Sequence, residues 1–379
     1  MNFELDDEQR ALQDSLTRLM AERYGFEQRR AHAASEGGQD PQTWQHLAEL
    51  GVTALSVPSA HGGFDGGARA MLPVMQALGG ALCLEPLLPQ VLAATALRLG
   101  ADEALCAERL PGLADGSARI AWAHDESAGR HAPCWVETRA SRRGRDWVLE
   151  GAKAHVLGAG LAGHVVVSAR TGGGPDSPAG RALFLVDAGA PGLQWRSYRL
   201  VDDTPAAELH LSGVRARPLA DPVDGVASGR AIDGAVAMGA ALACADMLGA
   251  AETANRLAVD YLHTRKQFGR PIGENQALRH RVAEMRVDLE MARSMAMAAA
   301  VAVDLPGGDE AGLDLHRAKL CVGRHAREVA LGAIQLHGGI GMTEEYAVGH
   351  CLRRIHVMDQ LFGDSGAHAA RLAALLAPA

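Results

Sequence analysis

No two of the six cysteines, Cys83, Cys106, Cys134, Cys244, Cys321 and Cys351, stand at C-x-x-C spacing, so neither a structural zinc site nor a redox dithiol is indicated and free thiols are expected. No other residue set has metal-ligand spacing, and no metal is expected. The chain also lacks a basic surplus. Its net charge of −8 and pI of about 6.1 argue against a nucleic-acid binder or a basic membrane-surface protein, since neither could neutralise phosphates with this balance. The first eight residues, Met1 to Glu8, are acidic and carry no basic n-region or apolar h-region, which predicts a cytoplasmic protein. A long uninterrupted apolar run is missing too. The most apolar stretch, 231–251, is broken by Asp233 and Asp246 and predicts a packed helix rather than a membrane span.

What is present is length and periodicity. At 379 residues the chain exceeds the roughly 250–300 that one core organises, so two or three domains are expected. Leu12, Leu16 and Leu19–Met20, then Trp44, Leu47 and Leu50, fall at helical spacing, and further helices are predicted over 71–78 and 88–99. Near Ser117 the texture changes to short apolar runs at 118–123, 135–139, 147–149, 164–169, 182–186 and 208–211. Turn-rich segments separate them, which indicates an antiparallel β-barrel or sandwich. Four long apolar-striped helices are then predicted at 228–264, 274–305, 309–336 and 343–377, reading as a bundle. Met285, Met291, Met295 and Met297 read as a core stripe of that bundle. The predicted architecture is multidomain α and β: an N-terminal all-helical domain (1–115), a middle β domain (116–222) and a C-terminal four-helix bundle (223–379).

Two stretches carry the chemistry. Tyr261 to Ile272 and Gln335 to Tyr346 each put glycines and polar side chains at the end of an apolar helical run, where helix dipoles and free N–H groups can receive a phosphate-bearing cofactor. Either alone is compatible with a solvated helix end or a glycine C-cap. Found together in this domain order, R-K-Q-F-G and Q-L-H-G-G-x-G-M closely resemble the acyl-CoA dehydrogenase family of flavoproteins. In detail the chain looks most like the small subunits of bacterial pimeloyl-CoA-type dehydrogenases, through Lys153 to Ala159 and Gln360 to Asp364.

The resemblance implies FAD and gives these residues roles. Arg265 would offer a planar fork of donors to the pyrophosphate, Phe268 an apolar face to adenine, and Gln276 and Gln335 amides to the nucleotide end. Gly338 and Gly339 would let backbone approach the cofactor. Gln267 and Ser365 complete the expected cofactor set. In the family these groups reach FAD held by a neighbouring subunit, so a homodimer, a tetramer or a heterotetramer with a second family member is implied. An acyl-CoA substrate and an electron-transfer flavoprotein or similar acceptor are implied as partners.

The departures are as informative. Family members desaturate an acyl-CoA at Cα–Cβ, using a glutamate to remove the α-proton. Its usual place in a Tyr-Glu-Gly-Thr turn corresponds here to Gly363, and its alternative place on the first bundle helix to Gly239. Asp364, one position on, is the remaining candidate base; Asp246 reads as a helix-polar or interdomain contact and Asp359 as a surface charge. A hydroxyl that usually bonds the flavin ring is replaced by Asp125, and the usual aromatic-Ile-Thr by His155, Val156 and Leu157. An ionised carboxylate beside the flavin disfavours its anionic reduced form, and Asp125 and Glu126 are expected to face solvent. Three readings follow: FAD-dependent α,β-dehydrogenation of an acyl-CoA, with a second chain supplying the base; a flavin monooxygenase or oxidase on the same fold; or a non-catalytic subunit completing a partner's FAD site.

Overall fold

The structure is a computed structural model that describes residues 7–305 and 309–376. Its first part is helical: α1 (Asp7–Arg23), α2 (Phe26–Ala34), α3 (Pro41–Glu49), α4 (Ala68–Gly80), α5 (Leu87–Gly100) and α6 (Glu103–Ala114). The predicted stripe of α1 buries Leu16, Leu19 and Met20. Start signals are explicit. Asp40 accepts from the Gln42 and Thr43 amides ahead of Pro41 at the head of α3, and Asp102 from the Leu105 amide of α6.

Seven strands follow: β1 (Ile120–Ala123), β2 (Arg139–Arg143), β3 (Asp146–Leu157), β4 (His164–Arg170), β5 (Arg181–Asp187), β6 (Leu193–Arg199) and β7 (Pro205–Pro218). Strands β4, β5, β7, β3 and β2 bond in turn, and β2 returns to β4, closing a barrel; β6 lies along β7. Alternate residues fill it, among them Val165, Val167 and Ala169 of β4 and Ala182, Phe184 and Val186 of β5. The barrel is not wholly antiparallel, because β1 and β2 both meet β4 in parallel. The run expected as a strand at 135–139 contributes only Arg139. The turn-rich residues Ser141 to Asp146 hold the reversal of the β2–β3 hairpin, with Gly144 at φ 65°.

The rest is α7 (Val226–Thr264), the short pair β8 (Lys266–Gln267) and β9 (Arg270–Pro271), α8 (Gln276–Asp304), α9 (Asp309–His337), α10 (Ala347–Gln360) and α11 (Ser365–Leu376). By length and composition α7 could cross a membrane, but 83% of its most apolar window is buried inside the protein, as in a core helix. The stretch expected as one helix over 343–377 is two, α10 and α11; its last residue lies outside the described residues. The break is dictated by Phe362 and Gly363, both at positive φ (63° and 102°), where a helix cannot continue. Of the methionine stripe only Met285 is core, while Met291 is 46% exposed.

The described chain forms two compact units, one of residues 7–31, 68–83 and 240–376, the other of 32–67 and 84–239. The first is helical, with α9 packed on α8, α10 and α11. Inside it Arg354 makes a buried bidentate pair with Asp246 (2.8 and 2.7 Å), so Asp246 is a contact within the helical unit. The second unit holds the barrel. All six cysteines are free, and among the described residues no cluster of His, Cys, Asp and Glu could hold a metal ion.

Candidate functional site

The Arg265 amide closes the last turn of α7 on the Tyr261 carbonyl, and the chain then reverses in a two-residue hairpin. Phe268 and Gly269 form its tip, both left-handed (φ 52° and 82°), the geometry a tight hairpin demands. Glycine adopts this freely; phenylalanine does so at a cost of about 1–3 kcal/mol. The ring is 101% exposed, so nothing within the chain compensates that cost. Arg265, Lys266, Gln267 and Arg270 are exposed around it. Gln276 opens α8 at the surface; Asn275 before it makes no side-chain capping bond, although its carbonyl accepts from the Leu278 amide (3.1 Å).

The second motif ends α9. Gln335 is exposed, and Gly338 (φ 65°) and Gly339 follow in a tight turn. Gly338 is required by its backbone angle, but Gly339 is not, and a Cβ on either would meet nothing within 4 Å. The open space beside both glycines leaves room for a group to approach the backbone.

His337 ties the two motifs together. Its ring lies 4.6 Å from that of Tyr261 and 4.8 Å from that of Tyr346. Nδ1 meets the Ala333 carbonyl at 2.7 Å and Nε2 the Tyr346 hydroxyl at 3.1 Å. Burial lowers the pKa of His337 and keeps it neutral. The exposed sets Arg265, Gln267, Phe268, Gln276 and Gln335, Gly338, Gly339 therefore share one root. Tyr261, His337 and Tyr346 sit inside the quoted stretches, but their stacking had no signal in the sequence.

The turn between α10 and α11 is built differently from the expectation. Asp364 caps α11, its Oδ1 accepting the Ala367 amide at 2.6 Å, which counts against a role as free base. Ser365 donates to Asp359 Oδ1 (2.9 Å), so its hydroxyl is engaged within the turn. Asp359 is not a surface charge. Its side chain is 19% exposed, and its carboxylate also lies 3.8 Å from the buried ammonium of Lys319. Lys319 donates to the Asp359 (2.8 Å) and Gly363 (3.1 Å) carbonyls, pinning both sides of the turn. Burial lowers its pKa.

A side chain at position 363 would start 3.1 Å from His368 Nε2 and 3.2 Å from Arg371 Nη1. Position 363 thus favours glycine by its backbone angle and is crowded by its neighbours. His368 is itself no substitute base. It is 1% exposed, and burial, with Lys319 and Arg371 nearby, pushes its pKa down to about 3. Gly239, the other seat, is buried within α7.

In the barrel unit, Glu126 does not face solvent. It accepts from Lys153 Nζ (2.7 Å), the Thr138 hydroxyl (2.7 Å) and the Thr138 amide (3.0 Å). Burial alone would raise its pKa, but Lys153 and Thr138 hold it below the ordinary value. Lys153 also reaches the His124 carbonyl (3.1 Å) and Ser168 Oγ (2.9 Å).

Comparison with known proteins agrees with this arrangement. Patterns described as acyl-CoA dehydrogenase N-terminal, middle and C-terminal domains match residues 6–117, 123–214 and 229–376. The chain is 30% identical to acyl-CoA dehydrogenase fadE12 of Mycobacterium tuberculosis, over 81% of this chain and 80% of that one. It is also 30% identical to the probable acyl-CoA dehydrogenase YngJ of Bacillus subtilis, over 95% of each. Among solved structures, a variant of the Tcur3481-Tcur3483 steroid ACAD is 29% identical with a TM-score of 0.87, covering 98% of both chains. The ChsE4-ChsE5 complex of Mycobacterium tuberculosis shares the fold at 23% identity and a TM-score of 0.87, covering 100% of both.

Proposed function

This chain belongs to the acyl-CoA dehydrogenase family of oxidoreductases, and we propose that it serves FAD-dependent α,β-dehydrogenation of an acyl-CoA as one subunit of a heteromer, beside a second family member that carries the glutamate base. The observation that carries this reading is the contrast between two places in one helical unit. The cofactor motifs are intact and turned outward, with Phe268 wholly exposed, while the turn at Gly363 is closed by His368, Arg371 and Lys319.

The residues fit a dinucleotide. Arg265 would hold the pyrophosphate with two parallel donors, Phe268 would cover the adenine, Gln276 and Gln335 would offer amides, and Gly338 and Gly339 leave room for close backbone approach. FAD, when bound, supplies the acceptor for the hydride leaving the β-carbon. The chain's own contribution is binding and orientation, because neither Gly363 nor Gly239 can move a proton and Asp364 is held in a helix cap. Two of the structural relatives are named as pairs of chains, which supports the two-subunit assembly.

The sealed turn equally favours a second reading, in which this chain binds no productive substrate and only completes the partner's FAD site. Co-purification with a glutamate-bearing family partner, followed by anaerobic addition of acyl-CoA, tests both. Bleaching of one flavin per pair of chains supports the completing role, bleaching of a flavin on every chain supports a working site here, and absence of flavin rejects the proposal.

A further inference from the structure

A cavity of about 720 Å³ lies in the helical unit, lined by residues of α1, α2, α4, α7 and α10 that all belong to that unit. Protein interiors are close-packed and leave few voids larger than a water molecule. A space of this size falls instead in the range of small-molecule pockets, roughly 300–1,000 Å³. No residue of either cofactor motif or of the Gly363 turn lines it.

Small residues make this space. Helices α4 and α7 cross at glycine: a Cβ on Gly249 would overlap the Gln76 carbonyl, and Thr253 Oγ1 donates to the Gly80 carbonyl (2.9 Å), so the two backbones meet and form a fixed floor. Helix α1 packs on α4, but Ala21, Ala77 and Ala81 on their lining faces are too short to fill the gap. Just past α4, Leu82 is buried at φ 54°, and its carbonyl accepts from Arg29 Nε of α2 (3.3 Å). A left-handed leucine is an outlier that its surroundings must hold, and such strain gathers at ligand-binding places.

Met20, Phe26, Leu82 and Leu257 supply apolar wall, and the charged lining groups are Arg29, Arg256 and Glu252. Glu252 is answered inside the unit: Oε2 accepts from Gln76 Nε2 (2.7 Å) and Oε1 stands 2.6 Å from Arg293 Nη2. Arg256 meets Asp260 at 4.0 Å with both side chains well exposed, a weak pair. Burial pushes the Cys351 thiol up to about 12 while the charges of Arg256 and Arg29 pull it back, so both guanidiniums act at one place on α10, a turn from Ala347 in the cavity wall. We propose that this cavity binds a small amphiphilic anion, an alkyl carboxylate, with its head at Arg256 and its tail along Met20, Ala77 and Leu257. The inference is independent of the flavin reading. The planar fork of arginine matches a carboxylate, and the tail displaces water from apolar wall. A ligand that binds only the folded unit also stabilises it by mass action.

The test is titration calorimetry of the full chain with octanoate and with octanol, which has the same tail and no charge, for the unaltered protein, Arg256→Gln and Ala21→Trp. Both substitutions fall at exposed helix positions; Thr17→Trp, exposed on the same rim, serves if Ala21→Trp fails to fold. Octanoate should bind the unaltered chain and raise its Tm with concentration, and octanol should bind about tenfold more weakly. Arg256→Gln should weaken octanoate about tenfold and leave octanol unchanged, while the tryptophan should weaken both. No octanoate binding, octanol binding as tight as octanoate, or an octanoate affinity that either folded variant leaves unchanged would each overturn the proposal.

Discussion

Gly363 decides whether the missing glutamate is a simple loss. At φ 102°, with His368 and Arg371 just over 3 Å from where a Cβ would stand, the position is strained and crowded for any side chain. Gly363→Glu is therefore expected to lose about 1–3 kcal/mol from backbone strain alone, read as a lower urea midpoint, and to restore no acyl-CoA turnover. Asp364→Ala should cost about 1 kcal/mol as a lost helix cap and leave turnover of the assembled enzyme unchanged; a variant of normal stability with abolished turnover would return Asp364 to the role of base. The sequence has glycine at both positions that the resemblance matches to the glutamate, 363 and 239. It could not show that one of them is crowded, because His368 and Arg371 reach the turn only once α11 has folded back, and nothing in their spacing announces it. Glu126 shows the same limit from the other side: a loop glutamate is normally solvated, and only the barrel's closure brings Lys153 against it.

At the level of elements, α11 is docked on α9 by a histidine pair. His368 Nε2 faces the Phe362 carbonyl (3.3 Å), which can only accept, so the remaining bond between His368 Nδ1 and His316 Nδ1 (2.9 Å) is donated by His316. The neutral form of His368 is required, and burial, Lys319 and Arg371 hold its pKa near 3 against 6.5 for an ordinary histidine. The unfolded chain thus binds a proton below about pH 6.5 that the folded chain refuses. Stability from this group is complete above pH 6.5 and falls by about 1.4 kcal/mol per pH unit toward pH 3. Urea unfolding of His368→Gln should lose that part of the acid slope; an unchanged slope would contradict the assignment. On α7 and α10, Asp246→Ala would remove the buried carboxylate paired with Arg354 and is expected to cost about 3–5 kcal/mol. Long periodic helices such as α7, α8 and α9 were legible from their apolar spacing. The α10–α11 break was not, since a single glycine inside an apolar pattern is no helix stop by itself, and the left-handed Phe362 beside it leaves no mark in composition.

For the whole molecule, the order of helices, barrel and bundle and the two cofactor motifs were readable because each rests on local spacing, whereas the closed ring through β2 and β4 and the His337 junction depend on residues far apart in sequence. The account's central claim is that this chain contributes a FAD-holding surface without a working base of its own. The most direct test is flavin counting in the complex purified with a glutamate-bearing family partner, with and without Arg265→Ala in this chain. The account predicts bound flavin that acyl-CoA bleaches anaerobically, and a loss of at least about tenfold in flavin affinity in the variant, in keeping with the roughly 1.5–3 kcal/mol of a hydrogen bond to a charged group. Undiminished flavin in the Arg265→Ala complex, or no flavin in the unaltered one, would contradict it.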